Sequence, residues 1–215
     1  MSFLDLHILL WWEPDLPALC NLFEGFHSTF GNNQNVDIRR FDGMYEEYED
    51  VTHITLLTLH LPMTGVSGAL EFIRSIVDHT STFNLIFTKA SPANQRVCID
   101  IDSAGLMKFK QDLYDPISSH NFILIWSASS TYRSPKLQAH AMPDGILNRD
   151  HHCTVYKWKG SNNSSRSEKR VSCEINRRIN EYVGMYGGPL HAKVHGIKIF
   201  GPDDSDWTES LSFSC

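Results

Sequence analysis

The sequence predicts an α+β fold built from two roughly equivalent halves, on three observations. Runs rich in β-branched and aromatic residues alternate with amphipathic segments of helical period. A His-x-Thr triplet, His53-Ile54-Thr55, lies in the strand-like run Asp50 to His60 and is echoed by His152-Cys153-Thr154 in the run His151 to Trp158. Each of these two runs is followed by a helix and then by two further strands.

Taken in order, Phe3 to Trp12 is a first core strand, and Glu13-Pro14-Asp15 ends it and caps the helix after it. Pro17 falls in a first helical turn, where a missing N–H costs nothing. Leu16, Leu19, Leu22, Phe23, Phe26 and Phe30 then recur at helical spacing, so a helix spans about 15 to 30 and closes at Gly31-Asn32-Asn33. Val36 to Phe41 is a short strand, and the acidic run Tyr45 to Asp50 is a solvated loop leading to the first triplet. A second helix, Val66 to His79, follows through Leu70, Ile73, Ile76 and Val77. The strands Phe83 to Lys89 and Arg96 to Ile101 have a hairpin-length connection between them. A third helix starts near Ser103 and runs past Tyr114, with Pro116 limiting its end. Asn121 to Ser127 is strand-like, and the irregular stretch from Ser129 to Asp150 has a length that is usually functional or disordered. After the second triplet strand, Glu168 to Tyr186 forms a fourth helix that Gly187-Gly188-Pro189 stops. Ala192 to Phe200 and Trp207 to Phe213 make a closing hairpin.

Composition narrows the function. The chain of 215 residues, 41% hydrophobic and 20% charged, can close a core without staples. Its 19 basic against 25 acidic residues, net charge −6, argue against long duplex nucleic acid as the main ligand, since such binders neutralise many phosphates. A small anionic ligand in a local pocket is compatible with that charge. Five scattered cysteines without a Cys-x-x-Cys pair point to reduced thiols and a cytoplasmic setting. Phe3 to Trp12 is too short and too polar to cross a bilayer.

In a strand, alternate side chains share a face, so His53 and Thr55 point one way, as do His152 and Thr154. Two imidazoles and two hydroxyls can then converge on one phosphate, given two motif strands lying side by side. By the same alternation Tyr156 and Trp158 continue the row from His152, offering aromatic faces to a base; packing under a helix is the competing role. Tyr132 and Arg133 on the long loop, with Lys157 or Lys159, are candidate phosphate or base contacts. His151, His152 and Cys153 are adjacent but face opposite ways in a strand, which disfavours a shared metal ion.

With these features the chain resembles the 2H phosphoesterase superfamily, which is named for two His-x-Thr/Ser motifs on the strands of a bilobal α+β fold. The two motifs here lie 99 residues apart, from 53 to 152, a separation similar to the family's. His53-Ile-Thr-Leu-Leu resembles the central domain of the A-kinase anchoring proteins. His152-Cys-Thr-Val resembles the second motif of the coronavirus accessory 2′,5′-phosphodiesterases. Where a proline often precedes the second family motif, this chain has His151.

The resemblance implies one domain over residues 1–215, with two pseudo-symmetric, interleaved lobes of antiparallel sheet and helices around a central groove. It implies a monomeric phosphodiesterase without metal or cofactor. His53 and His152 would serve as acid and base, and Thr55 and Thr154 would bind the phosphate. The implied substrate is a 2′,5′-linked oligoadenylate, the second messenger of an antiviral response, which would place the chain in a host cytoplasm if it is viral. The alternatives are a 2′,3′-cyclic nucleotide or RNA-end phosphodiesterase, and a binding module that keeps the groove without catalysis. A pure interaction domain, with the triplets coincidental, is the third class.

Overall fold

The computed structural model describes residues 3–14, 17–30, 36–38, 54–93, 96–119, 123–124, 151–158, 165–201 and 208–214. Nine strands and four α-helices are formed by these residues: β1 (Phe3–Pro14), α1 (Pro17–Phe30), β2 (Val36–Ile38), β3 (Thr55–Pro62), α2 (Val66–Val77), β4 (Phe83–Ala93), β5 (Arg96–Asp102), α3 (Ala104–Ser119), β6 (Ile123–Leu124), β7 (His151–Trp158), α4 (Ser165–Tyr186), β8 (Leu190–Phe200) and β9 (Thr208–Ser212). A single 3-10 turn, Met63–Gly65, joins β3 to α2.

All nine strands belong to one sheet, with the order β2-β7-β5-β4-β8-β1-β3-β6 and β9 on β8. Every ladder between these strands is antiparallel. This order holds a two-fold relation. Exchanging β1 with β5, β2 with β6, β3 with β7 and β4 with β8 returns the same list reversed. The helices obey the same exchange, since α1 packs on α4 and α2 on α3. The repeat unit is therefore strand, helix, strand, motif strand, helix, strand. The two copies are interleaved: β5 and β7, from the second copy, share their side of the sheet with β2 and β4 from the first.

Burial separates the two faces. On β1, Leu6, Ile8, Leu10 and Trp12 are fully buried, whereas His7 and Trp11 on the other parity are partly exposed; Leu9, of that same parity, is also fully buried. On β8, Leu190, Ala192 and Val194 are buried, and His191 and Lys193 between them are not. Phe83 of β4 meets Phe109 of α3, and Trp12 meets Phe87, so the buried parity is the helix-covered face. The opposite face carries His7, Trp11, Asn84, Ile86, Asp100, His152, His191, Lys193 and Lys198, all at least partly exposed. The sheet curls into a half-barrel with the helices outside.

Helical period supplies the apolar stripes. α2 buries Ala69, Leu70, Ile73 and Val77, and α4 buries Val171, Ile175, Ile179 and Tyr182. Each Leu, Ile or Val among them contributes about 1.5–3 kcal/mol when withdrawn from water. Ser103 caps α3: its Oγ accepts from Leu106 N–H at 3.1 Å and donates to Asn84 C=O at 2.6 Å. α4 ends at Gly187, whose φ of +72° places it in the left-handed region. Gly196 is required for a different reason, because a Cβ there would lie 1.9 Å from the Leu211 carbonyl oxygen of β9.

Two expectations are corrected. α3 does not stop at Pro116 but continues to Ser119, because proline forfeits only its own hydrogen bond to the preceding turn and later N–H groups can still bond. α4 begins at Ser165, three residues ahead of Glu168, so the polar segment before it is already helical. Among the described residues no helix is long and apolar enough to cross a membrane.

Candidate active site

The second triplet lies in β7; of the first, Thr55 opens β3 and Ile54 stands just before it. The two strands are not neighbours, because β5, β4, β8 and β1 lie between them. Side-by-side pairing is prevented by the inner strand of each copy, β5 against β7 and β1 against β3, which takes the ladder edge that the motif strand would need. The two-fold relation gives the motif strands equivalent places instead, each third from the centre of the sheet.

Register makes the equivalence residue by residue. Thr154 stands opposite Cys98, which stands opposite Ser91 of β4. Thr55 stands opposite Leu9, which stands opposite Lys198 of β8. Two rows of three residues thus run inward from the motif threonines to the centre of the sheet, all on the helix-free face. Directly after each threonine the ladder slips: Val155 in β7 and Leu56 in β3 have no opposite residue. A bulge of this kind bends the strand, raises its twist and re-aims the neighbouring side chains. Both motifs carry one at the same position.

Two residues before Thr154 in β7, His152 is exposed and stands opposite Asp100 of β5. Ser91 Oγ donates to Asp100 Oδ2 at 2.9 Å, and Lys89 Nζ lies 3.9 Å from the same oxygen. Thr154 is buried at 8% exposure, with its Oγ1 3.6 Å from Cys98 Sγ. With the thiol as donor, the threonine O–H remains free to donate to an anion. Thr55 is partly exposed. In the first copy the residue equivalent to Asp100 is Trp11, two positions beyond Leu9, and its ring lies 6.2 Å from that of His195.

Of the remaining candidates, His53, Tyr132 and Arg133 lie outside the described residues, as do the side chains of Tyr156 and Trp158. The backbone still bears on the aromatic row. Tyr156 stands opposite Val97 after the bulge at Val155, so the period-two alternation counted from Thr154 is interrupted before Tyr156. Sequence reasoning missed Ser91, Cys98, Asp100, Leu9, Trp11 and Lys198. Their signal was the alignment of Leu9-Leu10-Trp11-Trp12 on Cys98-Ile99-Asp100-Ile101, which becomes visible once the strands before α1 and α3 are treated as one repeated element. Among the described residues no group of three or more His, Cys, Asp or Glu side chains is placed to hold a metal ion.

Comparison with known proteins agrees at the level of fold. No protein-family model matches the sequence, and no curated protein does. Solved structures do match. TT0787 of Thermus thermophilus aligns with a TM-score of 0.55 at 11% identity, over 98% of this chain and 100% of its own. Usb1 of Kluyveromyces marxianus aligns at 0.52 and 9% identity, over 97% and 98%. Escherichia coli LigT aligns at 0.47 and 10% identity, over 100% and 96%. These neighbours are members of the 2H phosphoesterase superfamily, and the chain has the 2H phosphoesterase-like fold.

Proposed function

We propose that the chain is a metal-independent phosphodiesterase of the 2H type that cleaves 2′,5′-linked oligoadenylates, with His53 and His152 as acid and base and Thr55 and Thr154 as the phosphate-binding hydroxyls. One observation carries the reading. The two motif threonines occupy two-fold-related positions on the helix-free face, each directly before a bulge and each opposite the inner strand of its copy. Two unrelated His-x-Thr strings would have no reason to share strand position, face and bulge.

The chemistry suits these groups. The 3′-hydroxyl beside a 2′,5′-linkage gives its proton to one imidazole while its oxygen attacks phosphorus. The other imidazole delivers a proton to the departing 5′-oxygen, leaving a 2′,3′-cyclic phosphate. Histidine titrates near neutrality and can take either part. The threonine hydroxyls donate to the non-bridging oxygens as their charge builds. Tyr156, Trp158, Tyr132 and Arg133 remain the proposed base and phosphate contacts. The preference for a 2′,5′ linkage rests on the resemblance of the strings around His53 and His152, and with it the use against an antiviral messenger.

The test is to incubate the protein with 2′,5′- and 3′,5′-linked adenylate trimers and a 2′,3′-cyclic nucleotide, and to separate the products by chromatography. Cleavage of the 2′,5′ trimer, unchanged by EDTA and lowered about 10²–10⁴-fold by His53→Ala or His152→Ala, is expected. Turnover of the cyclic nucleotide alone would transfer the same site to RNA-end chemistry. Retained activity in either histidine variant would overturn the proposal.

A further inference from the structure

We infer that Trp11, Gly196 and His195 form a slot for a nucleobase on the first-copy side of the groove, with Lys193 placed to hold a second phosphate, so that the site takes an oligonucleotide of at least two phosphates. The inference rests on the phosphodiesterase reading and names the substrate class of that site.

The slot is built from one strand pair. Trp11 of β1 stands opposite Gly196 of β8, and Trp12 opposite Val194, which leaves His195 as the extra residue of a bulge. Directly opposed side chains share a face, with Cβ atoms about 4.5–5.5 Å apart. Glycine at 196 therefore leaves bare backbone beside the indole. The close approach of β9 requires that glycine, since a Cβ would lie 1.9 Å from the Leu211 carbonyl oxygen. The ring of His195 lies 6.2 Å from that of Trp11, tilted by 50°. Both residues are partly exposed, yet the indole Nε1 is buried. What Trp11 offers the groove is ring surface rather than its N–H, which suits stacking on a flat base.

The two-fold relation shows that the slot belongs to one side. In β4 and β5, Phe87 opposite Ile101 and Ala90 opposite Ile99 match Val194 opposite Trp12 and Ile197 opposite Leu10. The exchange thus places Asp100 on Trp11, Thr88 on His195 and Lys89 on Gly196. There Lys89 Nζ lies 3.9 Å from Asp100 Oδ2, and Thr88 Oγ1 donates to the Asp100 carbonyl at 3.1 Å. An ion pair occupies the second copy where the first has an indole beside bare backbone.

The neighbours of the slot fit a nucleotide chain. Trp11 lies two residues along β1 from Leu9, which stands opposite Thr55. A base on the indole then belongs to the nucleoside beside a phosphate held by that threonine. Lys193 is exposed on the same face, opposite Glu13 of β1 on one side and Asn84 of β4 on the other. It is a diagonal neighbour of Trp11, and diagonal positions about 7–8 Å apart are within reach of long side chains. Its ammonium has three donors, so a carboxylate at Glu13 leaves donors for a phosphate. The matching place in β4 is Ile86, so this charge also belongs to one side.

The test uses 2′,5′-linked oligomers of 3′-deoxyadenosine, which lack the attacking hydroxyl and persist. Binding is read by calorimetry and by quenching of tryptophan fluorescence. The dimer carries one phosphate and the trimer two. The wild type is expected to bind the trimer about 10-fold more tightly than the dimer at low salt, with the gap narrowing as salt rises. Trp11→Leu should weaken both oligomers about 10-fold and remove part of the quenching, and Trp11→Phe should recover most of the affinity. His195→Ala, which leaves the indole in place, should weaken both about 3-fold. Lys193→Gln should weaken the trimer about 10-fold and the dimer less than about 3-fold, and lower the salt slope of trimer binding by about 0.7.

Unchanged affinity in folded Trp11→Leu and His195→Ala proteins overturns the slot. A trimer advantage that survives Lys193→Gln overturns the role of Lys193. Turnover of the ribose-containing trimer that is unaffected by Trp11→Leu overturns the slot and leaves the phosphodiesterase reading intact. Binding that depends on Trp11, in a wild-type protein that cleaves no phosphodiester, overturns that reading and leaves the slot standing.

Discussion

In the first copy of the repeat, β1 presents Leu9 and Trp11 to the helix-free face beside the motif strand; in the second, β5 presents Cys98 and Asp100 in the same places. The backbone repeats closely, down to a bulge after each threonine. The side chains have diverged, with an apolar flank on one motif and a polar, charged one on the other. Conserved placement of hydroxyls suits a phosphate approached from two sides. The divergence lies in the strand beside each motif threonine, apolar in β1 and polar in β5.

The threonines test whether the copies contribute equally. Thr55→Ala and Thr154→Ala should each lower kcat by about 10²-fold, the scale of losing one donor to a developing oxyanion, with KM less affected. Serine at either site should restore most of the activity. The two should differ in stability. Thr154 is buried against Cys98, so Thr154→Ala is expected to lower the melting temperature, and Thr55→Ala, partly exposed, to lower it less. Comparable melting temperatures with unchanged kcat in both would show that the paired placement has no catalytic meaning.

A second difference lies away from the site. The C-terminal half of β8 has β1 on one side and β9 on the other. The equivalent half of β4 has β5 on one side and, in place of another strand, the side chain of Asn176 from α4. Its Oδ1 accepts from Ala90 N–H at 2.7 Å and its Nδ2 donates to Ala90 C=O at 2.9 Å, with Ser172 Oγ donating to the same carbonyl at 2.8 Å. One amide thus does for β4 what a strand does for β8. Asn176→Ala leaves the Ala90 N–H without that partner at a buried position, and a loss of about 1–3 kcal/mol is expected in urea unfolding. Asn176→Asp, which keeps only the acceptor, should recover part of the loss. A neutral Asn176→Ala would mean that β4 satisfies its edge another way.

The legible part of the sequence was the local part. Helical stripes such as Leu70, Ile73 and Val77 need only their own spacing to be seen, and α1, α2 and the start of α3 fall where that spacing puts them. The triplets were legible as a pair because the same His-x-Thr pattern recurs in two strand-like runs. Strand order was not, since nothing in the run Thr55 to Pro62 says that β1 will take its inner edge. The bulges at Leu56 and Val155 were hidden because they are a mismatch between two strands, and counting by twos along one strand cannot register them. Asp100 was passed over for the same reason: that it stands opposite His152 is set by the register between two strands and cannot be read along one.

The smallest effect separates the helix pairs. α4 holds α1 through Arg178, which donates to Gly25 C=O at 3.0 Å and to Thr29 Oγ1 at 2.6 Å. Arg178 is oriented in turn by Glu174, at 3.0 Å, and Glu174 also receives a two-pronged contact from Arg177. The hydrogen bonds from Arg177, then those from Arg178, push the Glu174 carboxyl down to about 2 from an ordinary 4.5. A carboxyl that is more acidic folded than unfolded stabilises the fold where it is ionised in both states. That stabilisation is complete above the unfolded value near 4.5 and drains away as the pH falls toward 2. Glu174→Gln should therefore melt below the wild type at pH 7, by a small margin because the group is partly exposed. The margin should narrow below about pH 4.5 and close near pH 2. A margin that stays constant across that range would place the effect of Glu174 in packing, and the α1–α4 clamp would then not depend on its charge.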